Sequence, residues 1–157
     1  MNFINPPQNI IHKTFYSKLY NHEVGYNIYL PSDYEDGNDK YPVAYHLHGW
    51  MGDESSEIWT MEKVYKNRQA ITVFPNNSPV IEAFENLPVE SMIITELIPH
   101  IDAHYRTVTT REGRSISGFS MGEIFRDVFL GNCLCGHIPS LLSQRLSYCW
   151  SSTGKSS

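Results

Sequence analysis

The sequence predicts an α/β fold in which an antiparallel hairpin is followed by parallel strands with crossover helices. Three observations lead to this prediction. Two short strand-like segments lie close together near the start of the chain, with turn residues between them. Three later apolar runs alternate with helix-like segments, which is typical of a parallel sheet covered by helices. A hydrophobic content of 41% over 157 residues is enough for one compact core.

The hairpin is predicted from residues 14–19 and from the segment Val24 to Leu30. The second segment alternates with period two, which is the pattern of a half-buried strand. Asn21 and His22 form the turn between the two segments, and Pro31 ends the second strand.

Buried strands are predicted at residues 43–48, 71–74 and 114–118. The run at 43–48 is mostly apolar, which suits a strand covered on both faces. The intervening residues 55–68 have weakly amphipathic, helical spacing.

The best-defined helix begins at Pro88, and its apolar side chains recur on one face as far as Ile101. Pro99 predicts a kink or a break near Glu96, because proline cannot donate a helical hydrogen bond.

Ligands bind at the carboxyl ends of the strands in sheets of this kind. Three segments should meet there: the loop 48–52, the loop 74–77 and Ser120. We therefore expect a functional site where these segments converge.

Ser120 lies at the centre of Gly118-Phe119-Ser120-Met121-Gly122. A serine at a tight strand-to-helix turn needs strained backbone angles and uncrowded neighbours, which the two glycines supply. Such a turn is the nucleophile elbow of α/β-hydrolases. It exposes the serine hydroxyl and aims the N–H of Met121 at the place where a reacting carbonyl would carry negative charge.

The sequence resembles the putative-esterase family over about residues 12–122. That family includes feruloyl and acetyl-xylan esterases, enterochelin-esterase-like enzymes, S-formylglutathione hydrolase and the antigen 85 acyltransferases. The resemblance is carried, in chain order, by Tyr29-Leu30-Pro31, Tyr41-Pro42-Val43, Leu47-His48-Gly49, Val73-Phe74-Pro75-Asn76, Glu96-Leu97-Ile98-Pro99-His100-Ile101-Asp102, Tyr105-Arg106 and the Ser120 motif.

The resemblance implies an α/β-hydrolase fold and a Ser–His–acid triad acting on carboxylic esters, including esters of carbohydrates, with no cofactor. It implies that Ser120 is the nucleophile, and that the N–H groups of Met121 and Trp50 stabilise the oxyanion. The side chains of Trp50 and Phe84 are candidates for lining an acyl or sugar pocket.

The amino-acid composition changes after Gly122. Residues 1–122 hold 15 acidic and 9 basic residues, whereas residues 123–157 hold 2 and 3. Family members place the triad acid and histidine after further strands. Here the only candidates after Ser120 are Glu123, Asp127 and His137.

We therefore expect residues 1–122 to form the N-terminal part of an incomplete α/β-hydrolase sheet. Residues 123–157 are expected to form an atypical tail with a helix at 123–130. We expect the chain to be a truncated or frame-shifted member with impaired hydrolysis. The last strand would then leave an open sheet edge at which the chain could self-associate.

Two other functions remain open. One is a non-catalytic remnant that binds an ester or sugar ligand. The other, a metal-dependent hydrolase, would use His46 and His48, because alternate residues of a strand point to one face.

Composition argues against several other classes. The net charge is −5 and no basic run is present, so we expect no nucleic-acid binding. No apolar run reaches the length of a membrane span, and residues 1–10 show no signal peptide, which leaves the compartment open. The three cysteines Cys133, Cys135 and Cys149 do not suggest a disulfide framework or a zinc site.

Overall fold

The computed structural model describes residues 7, 9–77 and 88–122. Five strands form one sheet in the order β1-β2-β4-β3-β5. The strands are β1 (Ile10–Ser17), β2 (His22–Tyr29), β3 (Val43–Leu47), β4 (Ile71–Pro75) and β5 (Arg114–Gly118).

The predicted antiparallel hairpin is confirmed, with β1 pairing to β2 from Ile10↔Tyr29 to Ser17↔His22. Its first strand begins four residues earlier than predicted and ends at Ser17 instead of residue 19. The strand is shorter at this end because the backbone amides of Lys18 and Leu19 turn away from the sheet and donate to the carboxylate of Glu96. That acceptor is distant in sequence, so local patterning could not reveal the boundary.

The three parallel strands are also confirmed. β3 pairs in parallel with β4 on one side and with β5 on the other. β2 joins the parallel strands by pairing antiparallel to β4. The carboxyl ends of β3, β4 and β5 therefore lie at one edge of the sheet.

The predicted helix 55–68 is largely wrong, because only α1 (Glu62–Lys66) is helical. The preceding residues form successive turns, in which side-chain oxygens accept hydrogen bonds from backbone N–H groups in place of helical carbonyls. The Asp53 carboxylate accepts from the Ser55 amide, and the Ser56 hydroxyl accepts from the Asp53 amide.

The long helix lies where the sequence predicts it, and Pro99 does disturb it near Glu96. The segment comprises α2 (Val89–Met92), a π-helical turn (Ile93–Leu97) and α3 (Ile98–His104). Proline has no N–H to donate to the carbonyl four residues earlier, and here the helix widens instead of breaking.

Each face of the sheet carries a separate apolar cluster. The larger lies beneath the long helix and includes the buried side chains Tyr26, Val43, Leu47, Val73, Met92, Ile93 and Leu97. The smaller lies on the opposite face, where Ile58 and Tyr65 pack with Tyr29 and Phe74. The sheet is thus covered on both faces, as a mostly parallel sheet requires.

The helix predicted at 123–130, the tail to residue 157 and Phe84 all lie outside the described residues. Among the residues described, no helix combines the length and the hydropathy that crossing a bilayer demands.

Candidate active site at the ends of β3 and β5

The carboxyl ends of β3 and β5 lie side by side, because Leu47 is paired in register with Gly118. The segments that follow these two residues are also joined by the backbone. The N–H of Phe119 donates to the carbonyl of Leu47 at 3.0 Å. The loop after β3 and the turn after β5 are therefore neighbours, as the sequence predicts.

Ser120 lies at the tip of the turn after β5. Its backbone has φ 52°, in the left-handed region that a residue with a Cβ seldom adopts, and the residue is exposed. The N–H of Gly122 donates to the carbonyl of Phe119 at 2.8 Å and closes the turn. The strained, exposed serine has the backbone expected of a nucleophile elbow.

The two glycines of the motif are required for close backbone contact. A Cβ added at Gly118 would lie 2.3 Å from the carbonyl carbon and oxygen of Gly122. A Cβ added at Gly122 would lie 2.3 Å from the carbonyl oxygen of Leu47. The glycines thus allow the turn to pack closely on itself and against the end of β3.

The loop after β3 passes directly beside Ser120. A Cβ at Gly49 would lie 3.4 Å from the Cβ of Ser120 and 3.0 Å from the ring of Phe119. The chain then turns through Gly49–Gly52, with the N–H of Gly52 donating to the carbonyl of Gly49 at 3.1 Å. Met51 has φ 57° in this turn, the pattern of a type II turn with a non-glycine third residue.

Aromatic and apolar side chains are exposed around the serine. Trp50 is 56% exposed, Met51 is 88% exposed and Phe119 is 57% exposed. Met121 follows Ser120, and its side chain is buried. Of the predicted site residues, the structure brings Ser120, Met121 and Trp50 to the two adjacent turns, whereas Phe84 lies outside the described part of the chain.

His48 and Asn77 bind each other at the base of this site, and both are buried. The His48 N–H donates to Asn77 Oδ1 at 3.0 Å, and Asn77 Nδ2 donates to the His48 carbonyl at 3.4 Å. The Asn77 N–H donates to His48 Nε2 at 3.2 Å, and His48 Nδ1 lies 2.7 Å from the Gly49 carbonyl. The sequence places both residues in loops at this edge of the sheet, but it does not predict that they bind each other.

His46 lies on the face of the sheet opposite the long helix. Its Nδ1 is 2.9 Å from the hydroxyl of Ser117, which joins β3 to β5 by side chains. Burial and, to a smaller extent, the nearby His48 together lower the pKa of His46 to about 4. The imidazole of His46 is therefore neutral at pH 7.

The metal site considered for His46 and His48 does not fit these contacts. Both ring nitrogens of His48 face backbone groups, so neither is turned toward His46 or toward a shared ion. Among residues 7, 9–77 and 88–122, no cluster of three potential ligands is present.

An exposed serine on a strained turn is suited to attack a carbonyl group, and backbone N–H groups of the two adjacent turns are suited to hold the charge that develops on its oxygen.

Comparison with known proteins gives a consistent picture. The family model described as "Putative esterase" matches residues 17–125. An esterase of Mycobacterium tuberculosis is 31% identical over 108 residues, which cover 62% of this chain and 24% of the relative.

Two solved structures share the fold. A ferulic acid esterase from the anaerobic fungus Anaeromyces mucronatus, in complex with ferulic acid, is 27% identical with a TM-score of 0.64, covering 82% of this chain and 56% of that one. An S-formylglutathione hydrolase from Staphylococcus aureus has a TM-score of 0.68 at 17% identity, covering 80% and 54% of the two chains. The chain thus spans about a quarter of the curated relative and about half of each solved structure.

Proposed function

Because the chain belongs to the putative-esterase family, we propose that it is built as a serine carboxylic-ester hydrolase with Ser120 as its nucleophile. The observation that carries this proposal is the backbone of Ser120. Its φ of 52° and its exposure beside Gly49 are what an attacking hydroxyl at an elbow needs.

The N–H groups of Met121 and Trp50 are the proposed donors to the oxyanion. Met121 directly follows the nucleophile, which is where an elbow supplies its first donor. Trp50 follows Gly49, whose backbone lies against Ser120. Two such donors stabilise the negative charge of the tetrahedral intermediate without having to reorganise during the reaction.

The reaction proceeds in two displacements. Ser120 Oγ bonds to the ester carbonyl carbon, its proton passes to a base, and the alcohol leaves with a proton as the acyl-enzyme forms. Water then attacks the acyl carbon and releases the acid and free Ser120.

We propose that hydrolysis by these 157 residues alone is limited by the general base. The candidates after the elbow are Glu123, Asp127 and His137, which do not follow the family's triad pattern. We expect turnover on the order of 10⁶ below that of a complete triad. The oxyanion hole and substrate binding would retain about 10³–10⁴ over water.

The proposed substrate is an ester with an aromatic acyl group, such as a feruloylated carbohydrate. Trp50 and Phe119 expose apolar rings on the two adjacent turns, and such rings bind planar acyl groups by stacking. The similar fungal enzyme binds ferulic acid, which supports the same acyl class here. Phe84 remains a predicted member of this pocket.

Hydrolysis of p-nitrophenyl acetate by the wild type and by Ser120→Ala tests the proposal. We expect an acetyl group on Ser120 of the wild type, detected by mass spectrometry, and none in the variant. Release of p-nitrophenol above the buffer rate should be faster with the wild type than with the variant. Equal rates without an adduct would reject the nucleophile.

The alternative function is a non-catalytic remnant that binds an ester or sugar ligand, and the exposed Trp50 favours it. Titration with ferulic acid while tryptophan emission is followed, using the wild type and Trp50→Ala, identifies such binding. Saturable quenching that depends on Trp50, together with equal hydrolysis rates in the first experiment, would establish the remnant in place of the enzyme.

We also propose that the chain self-associates through β5. Within the part that the structure describes, β5 pairs on one side with β3, and an unpaired strand edge can accept a strand from another chain. Size-exclusion chromatography should show concentration-dependent dimers or larger species. A single monomer peak with a cooperative melt would contradict this.

A further inference from the structure

The ring of His48 is surrounded by backbone groups that determine which of its nitrogens carries the proton. The N–H of Asn77 points at Nε2 from 3.2 Å, and an N–H can only donate. Nε2 is therefore the unprotonated acceptor, and the proton of the neutral ring is on Nδ1. From there it donates to the carbonyl oxygen of Gly49 at 2.7 Å.

The Gly49 carbonyl accepts a second hydrogen bond from the N–H of Gly52 at 3.1 Å. Two donors thus hold this oxygen toward the His48 ring and the closing residue of the turn. All described peptide bonds are trans, so the Trp50 N–H of the same peptide unit points in the opposite direction. The orientation of the Trp50 amide is consequently fixed by what binds the Gly49 oxygen.

The side chain of Asn77 holds the residue that carries this ring. Its Oδ1 accepts from the His48 N–H at 3.0 Å, and its Nδ2 donates to the His48 carbonyl at 3.4 Å. Asn77 has no solvent-exposed surface and lies two residues after the end of β4, the strand adjacent to β3. It therefore ties the loop after β3 to the loop after β4.

We propose that Asn77 and His48 form a clamp that orients the Gly49–Trp50 peptide. In this clamp Asn77 is a positioning residue for the amide of Trp50. The importance of that amide for turnover rests on the proposed function, but the clamp itself is a property of the fold. The clamp connects the Trp50 amide to Asn77, which lies 29 positions after His48 in the chain.

The first test reads the tautomer of His48 in the wild type. Long-range ¹H–¹⁵N correlation spectra of the histidine rings distinguish the two neutral tautomers, and the signals lost in His48→Gln assign this ring. We expect His48 as the Nδ1–H tautomer at pH 7, the less common form of free imidazole side chains. An Nε2–H ring would overturn the proposal.

The second test follows backbone amides by hydrogen exchange. Asn77→Ala removes the acceptor of the His48 N–H, so this amide should exchange about tenfold faster, and the Trp50 amide resonance should shift. Asn77→Asp keeps an oxygen acceptor and should keep the His48 amide protected. Unchanged exchange and an unchanged Trp50 resonance in Asn77→Ala would overturn the proposal.

Asn27→Ala is the matched control. Asn27 is also buried, and its amide donates to the same loop at the Glu54 carbonyl and the Ser55 hydroxyl. This variant should lower stability while leaving the His48 tautomer and the Trp50 resonance unchanged. A similar Trp50 shift in both variants would show general loosening of the loop and would contradict a specific clamp.

Kinetics separate the clamp from the proposed function. If the wild type shows Ser120-dependent turnover, Asn77→Ala should lower kcat by a larger factor than it raises KM. The loss in kcat should be smaller than the ~10²–10³ that follows removal of a whole oxyanion donor. An unchanged kcat would refute the positioning role. If the wild type shows no such turnover, the esterase proposal fails, and the tautomer and the amide exchange still decide whether the clamp exists.

Discussion

The turn after β3 and the turn after β5 both place a non-glycine residue in the left-handed region, Met51 at φ 57° and Ser120 at φ 52°. They are held in different ways. A backbone hydrogen bond closes each turn, but the first has additional support from side chains, because His48 and Asn77 hold its opening peptide. Backbone contacts and the missing Cβ atoms of Gly118 and Gly122 support the second.

The difference determines how each turn tolerates change. A turn supported by polar side chains loses one hydrogen bond at a time, and each loss has a moderate effect on stability. A turn supported by backbone packing has no room for even one added carbon. The elbow should therefore be the less tolerant of the two, although both form one site.

Gly122→Ala should have the largest effect. The new Cβ would lie 2.3 Å from the Leu47 carbonyl oxygen, so the elbow must move away from β3. We expect a loss of about 3 kcal/mol or more in the free energy of unfolding, measured by urea denaturation. Gly37→Ala is the control, since nothing lies within 4 Å of its added Cβ. Equal midpoints for the two variants would show that the elbow is not tightly packed.

Acid should weaken the link between the two strands that carry the turns. The pKa of His46 is lowered to about 4 in the folded protein, chiefly by burial, from 6.5 when unfolded. Above pH 6.5 both states are neutral and His46 has no effect on pH dependence. As the pH falls from 6.5 toward 4, only the unfolded state takes up the proton, and about 3 kcal/mol of stability is lost.

Urea denaturation across this pH range measures the loss, with His46→Gln as the comparison. The variant should show a shallower fall in stability between pH 6.5 and pH 4. Parallel curves for the two proteins would mean that other groups cause the acid sensitivity.

Asn77→Ala should destabilise the turn after β3 by about 2 kcal/mol, less than the glycine substitution destabilises the elbow. It leaves the buried His48 N–H without its Asn77 acceptor. Asn38→Ala, at an exposed loop position, should change stability by less than about 0.5 kcal/mol. A larger effect from Asn77→Ala than from Gly122→Ala would reverse the comparison between the turns.

Relieving the left-handed strain should have the smallest effect. Ser120→Gly and Ser120→Ala both remove the hydroxyl, but only glycine relaxes φ 52°. Thermal melts should show the glycine variant more stable by about 1 kcal/mol. Met51→Gly should gain a similar amount at the other turn, because the Met51 side chain is 88% exposed and packs little. If alanine is as stable as glycine at position 120, the elbow is unstrained.

The sequence predicted well the features that depend on residues close together in the chain. The hairpin, the parallel strands and the Pro99 disturbance follow from periodicity and from the chemistry of single residues. The strained backbone of Ser120 follows from two glycines within the same five-residue motif. The failed prediction of a helix at 55–68 shows the limit, because side-chain hydrogen bonds from Asp53 and Ser56 replaced the helical ones.

By itself the sequence determined that a serine would stand at a strained turn directly after a strand, because the residues that impose this geometry are its immediate neighbours. Only the tertiary structure decided which strand lies beside which, and so which distant residue supports the site. Asn77 reaches His48 because β4 pairs with β3. A hydrogen bond across 29 residues leaves no periodic trace in the sequence, because it requires the sheet to be assembled first.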